Sequence, residues 1–160
     1  MPHKNKTNAV RILERAGIAY QCIEYAHEEG VAADGKTVAA MLGQDEASVF
    51  KTLVTVGSSR EHYVFVVPVA KELDLKAAAR AVGEKSVEMV QVSELLKLTG
   101  YVRGGCSPVG MKKPYPTVID ASARERECIY VSAGKIGLQV RLAPKALADL
   151  IGGFFAEIAH

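Results

Sequence analysis

The stretch Val49-Phe50-Lys51-Thr52-Leu53-Val54-Thr55-Val56-Gly57-Ser58-Ser59-Arg60-Glu61-His62-Tyr63-Val64-Phe65-Val66-Val67-Pro68-Val69 decides the architecture. β-Branched and aromatic residues fill Val49 to Val56 and again Tyr63 to Val69. Gly57 to Glu61 between them is turn material, so the segment predicts a β-hairpin. A helix is expected directly afterwards over Leu75–Val82, capped by Asp74 and ended by Gly83.

Upstream of the hairpin, apolar residues at helical spacing (Val10, Ile12, Leu13, Ala16) predict a helix over residues 8–16, with Thr7 as cap and Gly17 as stop. A strand is expected at about 19–25. A Gly- and acid-rich loop running from Glu28-Glu29-Gly30 to Gly35 then leads to a helix from Thr37 to Leu42, closed by Gly43. Beyond the hairpin come a short strand near Val87–Val90 and a helix near Ser93–Leu98, ended by Gly100. Strands follow at Thr117–Ile119, Cys128–Ser132 and Leu138–Leu142, and Pro144 opens a helix over Lys145–Leu150. A hairpin followed by short, antiparallel-looking strands among helices points to a mixed sheet flanked by helices. With no internal repeat or linker, residues 1–160 read as one α/β (α+β) domain.

The 160 residues suffice for one buried core. Apolar residues make up 49% and charged ones 24%, the balance of a globular chain. No apolar run reaches the roughly 20 residues that a membrane helix needs. The basic start Met1-Pro2-His3-Lys4-Asn5-Lys6 has no apolar signal core behind it, so a cytoplasmic address and no membrane contact are expected. Cys22, Cys106 and Cys128 are odd in number and far apart, which argues against a disulfide framework. Neither they nor His3, His27, His62 and His160 have zinc-ligand spacing, so no metal is expected.

Charge is unevenly spread. Lys97 to Lys145 holds nine basic and three acidic residues, a net of +6 against −4 over the rest. Such a half either attracts a polyanion or is simply a solvated Lys-rich surface.

The common catalytic signatures are missing: there is no Gly-x-Ser-x-Gly elbow, no phosphate loop and no His-Glu-x-x-His. Three features remain. Lys51 is a cation in an otherwise apolar strand, either guarding a strand edge or facing a pocket where it stabilises an anionic oxygen. Gly104-Gly105-Cys106-Ser107-Pro108-Val109-Gly110 is either a tight turn or a nest whose N–H groups approach an anion. Ser132-Ala133-Gly134-Lys135-Ile136-Gly137 is a hairpin turn or a second wall of the same cleft. Cys106 is a candidate nucleophile, though buried structural cysteine is the commoner fate. Tyr25 and His27 either line a pocket or cap the first strand.

Several motifs in this order carry a family resemblance. They are Phe50-Lys51-Thr52-Leu53, Leu73-Asp74-Leu75-Lys76, Gly100-Tyr101-Val102-Arg103-Gly104-Gly105-Cys106-Ser107-Pro108-Val109-Gly110, Pro116-Thr117-Val118-Ile119-Asp120 and Ile129-Tyr130-Val131-Ser132-Ala133-Gly134-Lys135. The chain resembles, from about residue 8 onward, the YbaK-type Cys-tRNA(Pro) deacylases, relatives of the editing domain inserted in bacterial prolyl-tRNA synthetases. The resemblance implies a central mixed sheet bent toward a barrel. It also implies trans-editing of cysteine from proline tRNA, with prolyl-tRNA synthetase as partner in a ternary complex and no cofactor. Lys51 falls on the family's essential lysine. Tyr25, Gly104, Gly105, Ser107 and Ser132 fall on positions lining the aminoacyl pocket.

In that family the substrate's own thiol is held to attack its carbonyl, releasing tRNA through a cyclic thioester. Lys51 and donors from Gly104–Gly105 would then stabilise the terminal nucleotide or the developing oxyanion. Three positions depart from the pattern. Gln139 stands where several members carry an acid, Ala133 replaces a common glycine, and Cys106 a common aliphatic. Three other readings stay open: an Ala-tRNA(Pro) deacylase of the same fold, a non-catalytic tRNA- or synthetase-binding module, and a thiol hydrolase using Cys106.

Overall fold

The protein is described by a computed structural model covering residues 6–28, 31 and 33–160. The basic start Met1–Asn5, including His3, and Glu29-Gly30 of the acid-rich loop lie outside the described residues.

Local chemistry places most elements. Helix α1 (Asn8–Arg15) begins where the Thr7 hydroxyl accepts the Val10 N–H at 3.2 Å, and the same hydroxyl donates to the Ala133 carbonyl at 2.5 Å. Strand β1 (Tyr20–Glu24) precedes α2 (Gly35–Leu42), which Asp34 caps through the Thr37 N–H. The hairpin consists of β2 (Phe50–Gly57) and β3 (His62–Pro68). Helix α3 (Leu75–Val82) is capped by Asp74 and closed by Gly83, as the sequence predicts. Then come β4 (Val87–Met89), α4 (Val92–Thr99), β5 (Thr117–Asp120), β6 (Ile129–Lys135), β7 (Leu138–Leu142) and α5 (Pro144–Ile151). Three elements have no counterpart in the sequence reading: β8 (Phe154–Ala156) and the 3-10 turns Glu46–Ser48 and Ala121–Glu125.

The strands form two sheets, β1-β7-β6 and β4-β2-β3-β5-β8. The second is mixed: β2 is antiparallel to β3 and β4, while β3–β5 and β5–β8 are parallel. A lone parallel bridge, Val49 to Tyr130, joins the sheets along a β2/β6 seam. The expected bend toward a barrel is therefore not carried to closure. Past that bridge the ladder between β2 and β6 stops, and the loop after α4 comes between them. Its Cys106 packs in a cluster with Val54 of β2, while its Gly105 abuts Lys135–Ile136 at the end of β6.

Alternation along the strands sorts the core into faces. Phe50, Val66, Val131, Ala133, Leu138, Val140 and Leu142 point to the principal core, closed by α1 (Val10, Leu13) and α5 (Leu147, Ala148). On the opposite face, Phe65 and Val67 pack with Ala78 and Ala79 of α3. Also on that face, Val49 and Val69 pack with Ala39 of α2 and with Tyr130. The segment around β8 is fastened by Asp120. One carboxylate oxygen accepts the N–H groups of Ile158 (3.0 Å) and Ala159 (3.2 Å), and the other accepts from the Ser122 N–H (3.2 Å) and hydroxyl (2.5 Å). No helix among the described residues is long and apolar enough to cross a membrane.

Candidate active site

Strand register assembles a polar strip on the face turned away from the principal core. Ile23 of β1 pairs with Gln139 of β7, and Gln139 with Ser132 of β6. Directly opposed residues share a face. Lys51 and Ser132 each lie two residues beyond the parallel Val49–Tyr130 bridge, on β2 and β6, and alternation leaves them on this same side of their strands. Tyr25, two residues beyond Ile23, keeps the face and donates its N–H to the Gly137 carbonyl at 2.9 Å. Tyr25 and Ser132 thus lie on the β1 and β6 sides of this sheet with β7 between them, and Lys51 lies on β2 across the open seam.

Lys51 occupies a gap on this face. Val49 packs under α2 and Leu53 in the α3 cluster, with Lys51 between them along β2. Its side chain is 31% exposed, and its ammonium lies 3.9 Å from the carboxylate of Glu72, which is 84% exposed. A pair this open is held loosely, so the cation is free to take an anionic ligand instead.

Ser132 sits at the β-bulge between Ser132 and Lys135, where its hydroxyl accepts the Gly134 N–H at 3.2 Å. Its lone-pair side is thereby fixed while the hydroxyl proton stays available. Gln139 is buried and locked with Gln44 by two reciprocal amide bonds of 2.9 and 3.2 Å. Where an acid would carry charge, the strip has a neutral, self-satisfied pair.

The glycine loop approaches from the end of β6. Gly104 is exposed at φ +85°. Gly105 is buried, and a Cβ there would come within 2.9 to 3.0 Å of the Lys135–Ile136 backbone, closer than real Cβ contacts allow. Ser107 is fully buried and accepts the Val109 N–H at 3.2 Å. Its hydroxyl braces the loop. Tyr101 donates to the Val109 carbonyl at 2.5 Å and packs by its ring against Gly134, tying the loop to β6.

Cys106 is poorly placed for nucleophilic work. Burial pushes its thiol up to about 12, partly offset by a hydrogen bond from Thr99, so at neutral pH it is a thiol and no thiolate. We expect Cys106→Ala to keep near-full hydrolytic activity; a loss beyond about tenfold would return the thiol-hydrolase reading. His27 lies at the edge, its ring 6.4 Å from that of Tyr25.

Thr52 escapes sequence reasoning. Its hydroxyl is the buried side-chain polar atom among the described residues that has no hydrogen-bond partner. Alternation puts it beneath Lys51, with Phe50 and Val54. A threonine in a β-rich run reads as a strand former, so nothing in the sequence marks it. The two cavities of note lie away from the strip. One of about 610 Å³ borders Asp120, Ser122, Arg124 and Glu157, and one of about 270 Å³ borders Pro108, Met111 and Leu150. Among the described residues no group of three His, Cys, Asp or Glu side chains is placed to hold a metal.

A family model described as the aminoacyl-tRNA editing domain matches residues 29–150. The chain belongs to the aminoacyl-tRNA editing domain family. A protein of Enterococcus faecalis, named as a proposed Cys-tRNA(Pro)/Cys-tRNA(Cys) deacylase, EbsC, is 46% identical over 155 residues, covering 97% of this chain and 94% of its own. Among solved structures, one described as a proposed trans-editing enzyme for prolyl tRNA synthetase superposes with a TM-score of 0.82 at 27% identity, covering 96% of this chain and 98% of that one. The hypothetical protein APE2540 shares the fold, with a TM-score of 0.84 at 22% identity over 94% of this chain and 97% of that one. The editing-domain match spans β2, the glycine loop and β6.

Proposed function

We propose that this protein is a trans-acting deacylase that clears cysteine from mischarged proline tRNA in the cytoplasm, residues 1–160 serving as one editing unit. The observation that carries the reading is the half-buried Lys51 ammonium on a sheet face, held only by an open pairing with Glu72, while Cys106 is buried as a thiol. The 46% identical relative named for Cys-tRNA(Pro) and Cys-tRNA(Cys) supports the same substrate class.

An aminoacyl ester is already activated, so positioning and charge stabilisation supply much of the acceleration. The substrate's thiol, as thiolate, adds to its own carbonyl carbon. The C–S bond forms, the ester C–O bond breaks, and the proton from sulfur ends on the ribose oxygen of the departing tRNA. Water then opens the cyclic thioester to free cysteine. Lys51 balances the negative charge on the carbonyl oxygen, Ser132 and Tyr25 orient the aminoacyl group, and the backbone at Gly104–Gly105 receives the terminal nucleotide. Serine is a weaker internal nucleophile and alanine has none, which gives the selectivity. Prolyl-tRNA synthetase is the partner expected to present the tRNA.

The test is hydrolysis of Cys-tRNA(Pro), Cys-tRNA(Cys), Ala-tRNA(Pro) and Ser-tRNA(Pro) by the purified protein, with and without the synthetase. Loss of cysteine from the first two and persistence of the others is expected. Preferential loss of alanine would overturn both the specificity and the role of the substrate thiol. No loss from any of them would leave a binding module.

A further inference from the structure

The positive charge of the second half is not spread evenly over the folded surface. Arg126 pairs with Asp45 at 2.9 Å, Lys145 pairs with Asp149 at 3.5 Å, and Arg124 lies over the Phe155 ring. Lys135 and Arg141 stand on β6 and β7, and the other four cations of this half sit in one segment. From residue 95 to 119 there are four cations, Lys97, Arg103, Lys112 and Lys113, and no acidic residue. All four are exposed, and none is in an ion pair with a described carboxylate.

The fold gathers them around the end of α4. Lys97 lies in its last turn. The Lys112 N–H donates to the Thr99 carbonyl at 3.2 Å, and the Lys112 side chain runs over Gly100, within 3.5 Å of where a Cβ would stand. The Tyr115 hydroxyl donates to the Leu98 carbonyl at 2.7 Å, pinning the segment that carries Lys113 against the helix. Arg103 adjoins Gly104, and Gly105 rests on Lys135–Ile136, so the ridge continues into the loop at the end of the strip. Favourable charge at a helix C-terminus accounts for one such cation, not for four without a counter-charge.

We infer that this α4–loop ridge is the docking surface for the sugar-phosphate backbone of the tRNA acceptor end, entering the strip past Arg103 and Gly104. The inference rests on the deacylase reading and adds to it where the polyanion lies. Cations free of carboxylate partners exchange counterions for phosphates, so affinity falls with salt by about 0.9 log unit per log unit for each phosphate contacted. Exposed Leu96 and Val102 sit among the four and offer apolar surface to riboses.

The experiment compares wild type with K97E/R103E/K112E/K113E, and with the milder K97Q/R103Q/K112Q/K113Q should the first fold poorly. Two substrates are used, full-length Cys-tRNA(Pro) and the cysteinyl ester of adenosine. Binding of deacylated tRNA(Pro) is measured by anisotropy across a salt series. For the variant, kcat/KM on the full-length substrate is expected to drop roughly 10- to 1000-fold at low salt. The salt slope of binding should flatten, and turnover of the adenosine ester should stay within about twofold. Unchanged tRNA binding and turnover would overturn the inference, as would equal losses on both substrates. Loss of synthetase capture with tRNA binding intact would make the ridge a protein surface and overturn it as well. Absence of wild-type turnover on both substrates would sink the deacylase reading instead, while the anisotropy series would still decide the ridge.

Discussion

Replacing Lys51 by alanine is expected to lower kcat/KM for Cys-tRNA(Pro) by roughly 100- to 1000-fold, the usual scale for removing one preorganised charge-stabilising group. The fold should barely respond. Lys51 is 31% exposed and its ionic partner among the described residues, Glu72, is 84% exposed at 3.9 Å, a pairing that contributes about 0–1 kcal/mol. Circular dichroism and thermal melts of Lys51→Ala should therefore overlay those of the wild type. Glu72→Ala supplies the control, since it frees the ammonium without removing it and is expected to keep activity. Lys51→Arg retains the charge but changes its shape, and an intermediate rate is expected. Turnover by Lys51→Ala equal to wild type would remove this lysine from the reaction.

The largest stability effect is expected at Asp120. Its carboxylate is 5% exposed and accepts from the N–H groups of Ser122, Ile158 and Ala159 and from the Ser122 hydroxyl. Alanine there leaves three amide donors without their acceptor, that of buried Ile158 and those of half-buried Ser122 and Ala159. Charge-assisted bonds of this kind are worth about 1.5–3 kcal/mol each, and stranded donors cost more than exchanged ones. A loss of about 3–5 kcal/mol follows, which for a chain of this size lowers Tm by roughly 10 °C. Asp120→Asn keeps one acceptor and should fall between. A shift in Tm below about 2 °C would mean that β8 and residues 158–159 are held by packing alone.

Much of the fold is legible because its signals are local. Thr7, Asp74, Gly83 and Pro144 act on backbone within four residues of themselves, and the helices start and stop where they stand. The β2–β3 hairpin declares itself by composition. β8 does not: Phe154-Phe155-Ala156 is a strand only because β5 offers a parallel partner, some 36 positions back. The open seam between the sheets is equally invisible, since it depends on one bridge between Val49 and Tyr130.

The same limit governs the site. Alternation in the sequence says that Lys51 and Thr52 face opposite ways, but which face meets Ser132 needs the register across the seam. Ser107 reads as a pocket residue, and the fold adds a second role that no spacing announces, its buried hydroxyl accepting from Val109 two residues away. Gln139 reads as a lost acid; its partner Gln44 is 95 residues distant, and no spacing rule connects them. Asp120 escapes notice as a clamp because its partners are amides 38 and 39 positions on, where any residue but proline would serve.

That separation has a consequence for how the chain is made. A ribosome adds about 5–20 residues per second, so the 38 residues between Asp120 and Ile158 take roughly 2–8 s. Until residues 154–159 have been added, β5 has no β8 to pair with and the Asp120 carboxylate lacks its amide donors at Ile158 and Ala159. The β2–β3 hairpin and α3 are already complete by then, yet β5 cannot be sealed until β8 arrives alongside it. This edge of the sheet therefore closes late, after the hairpin and α3 that it completes.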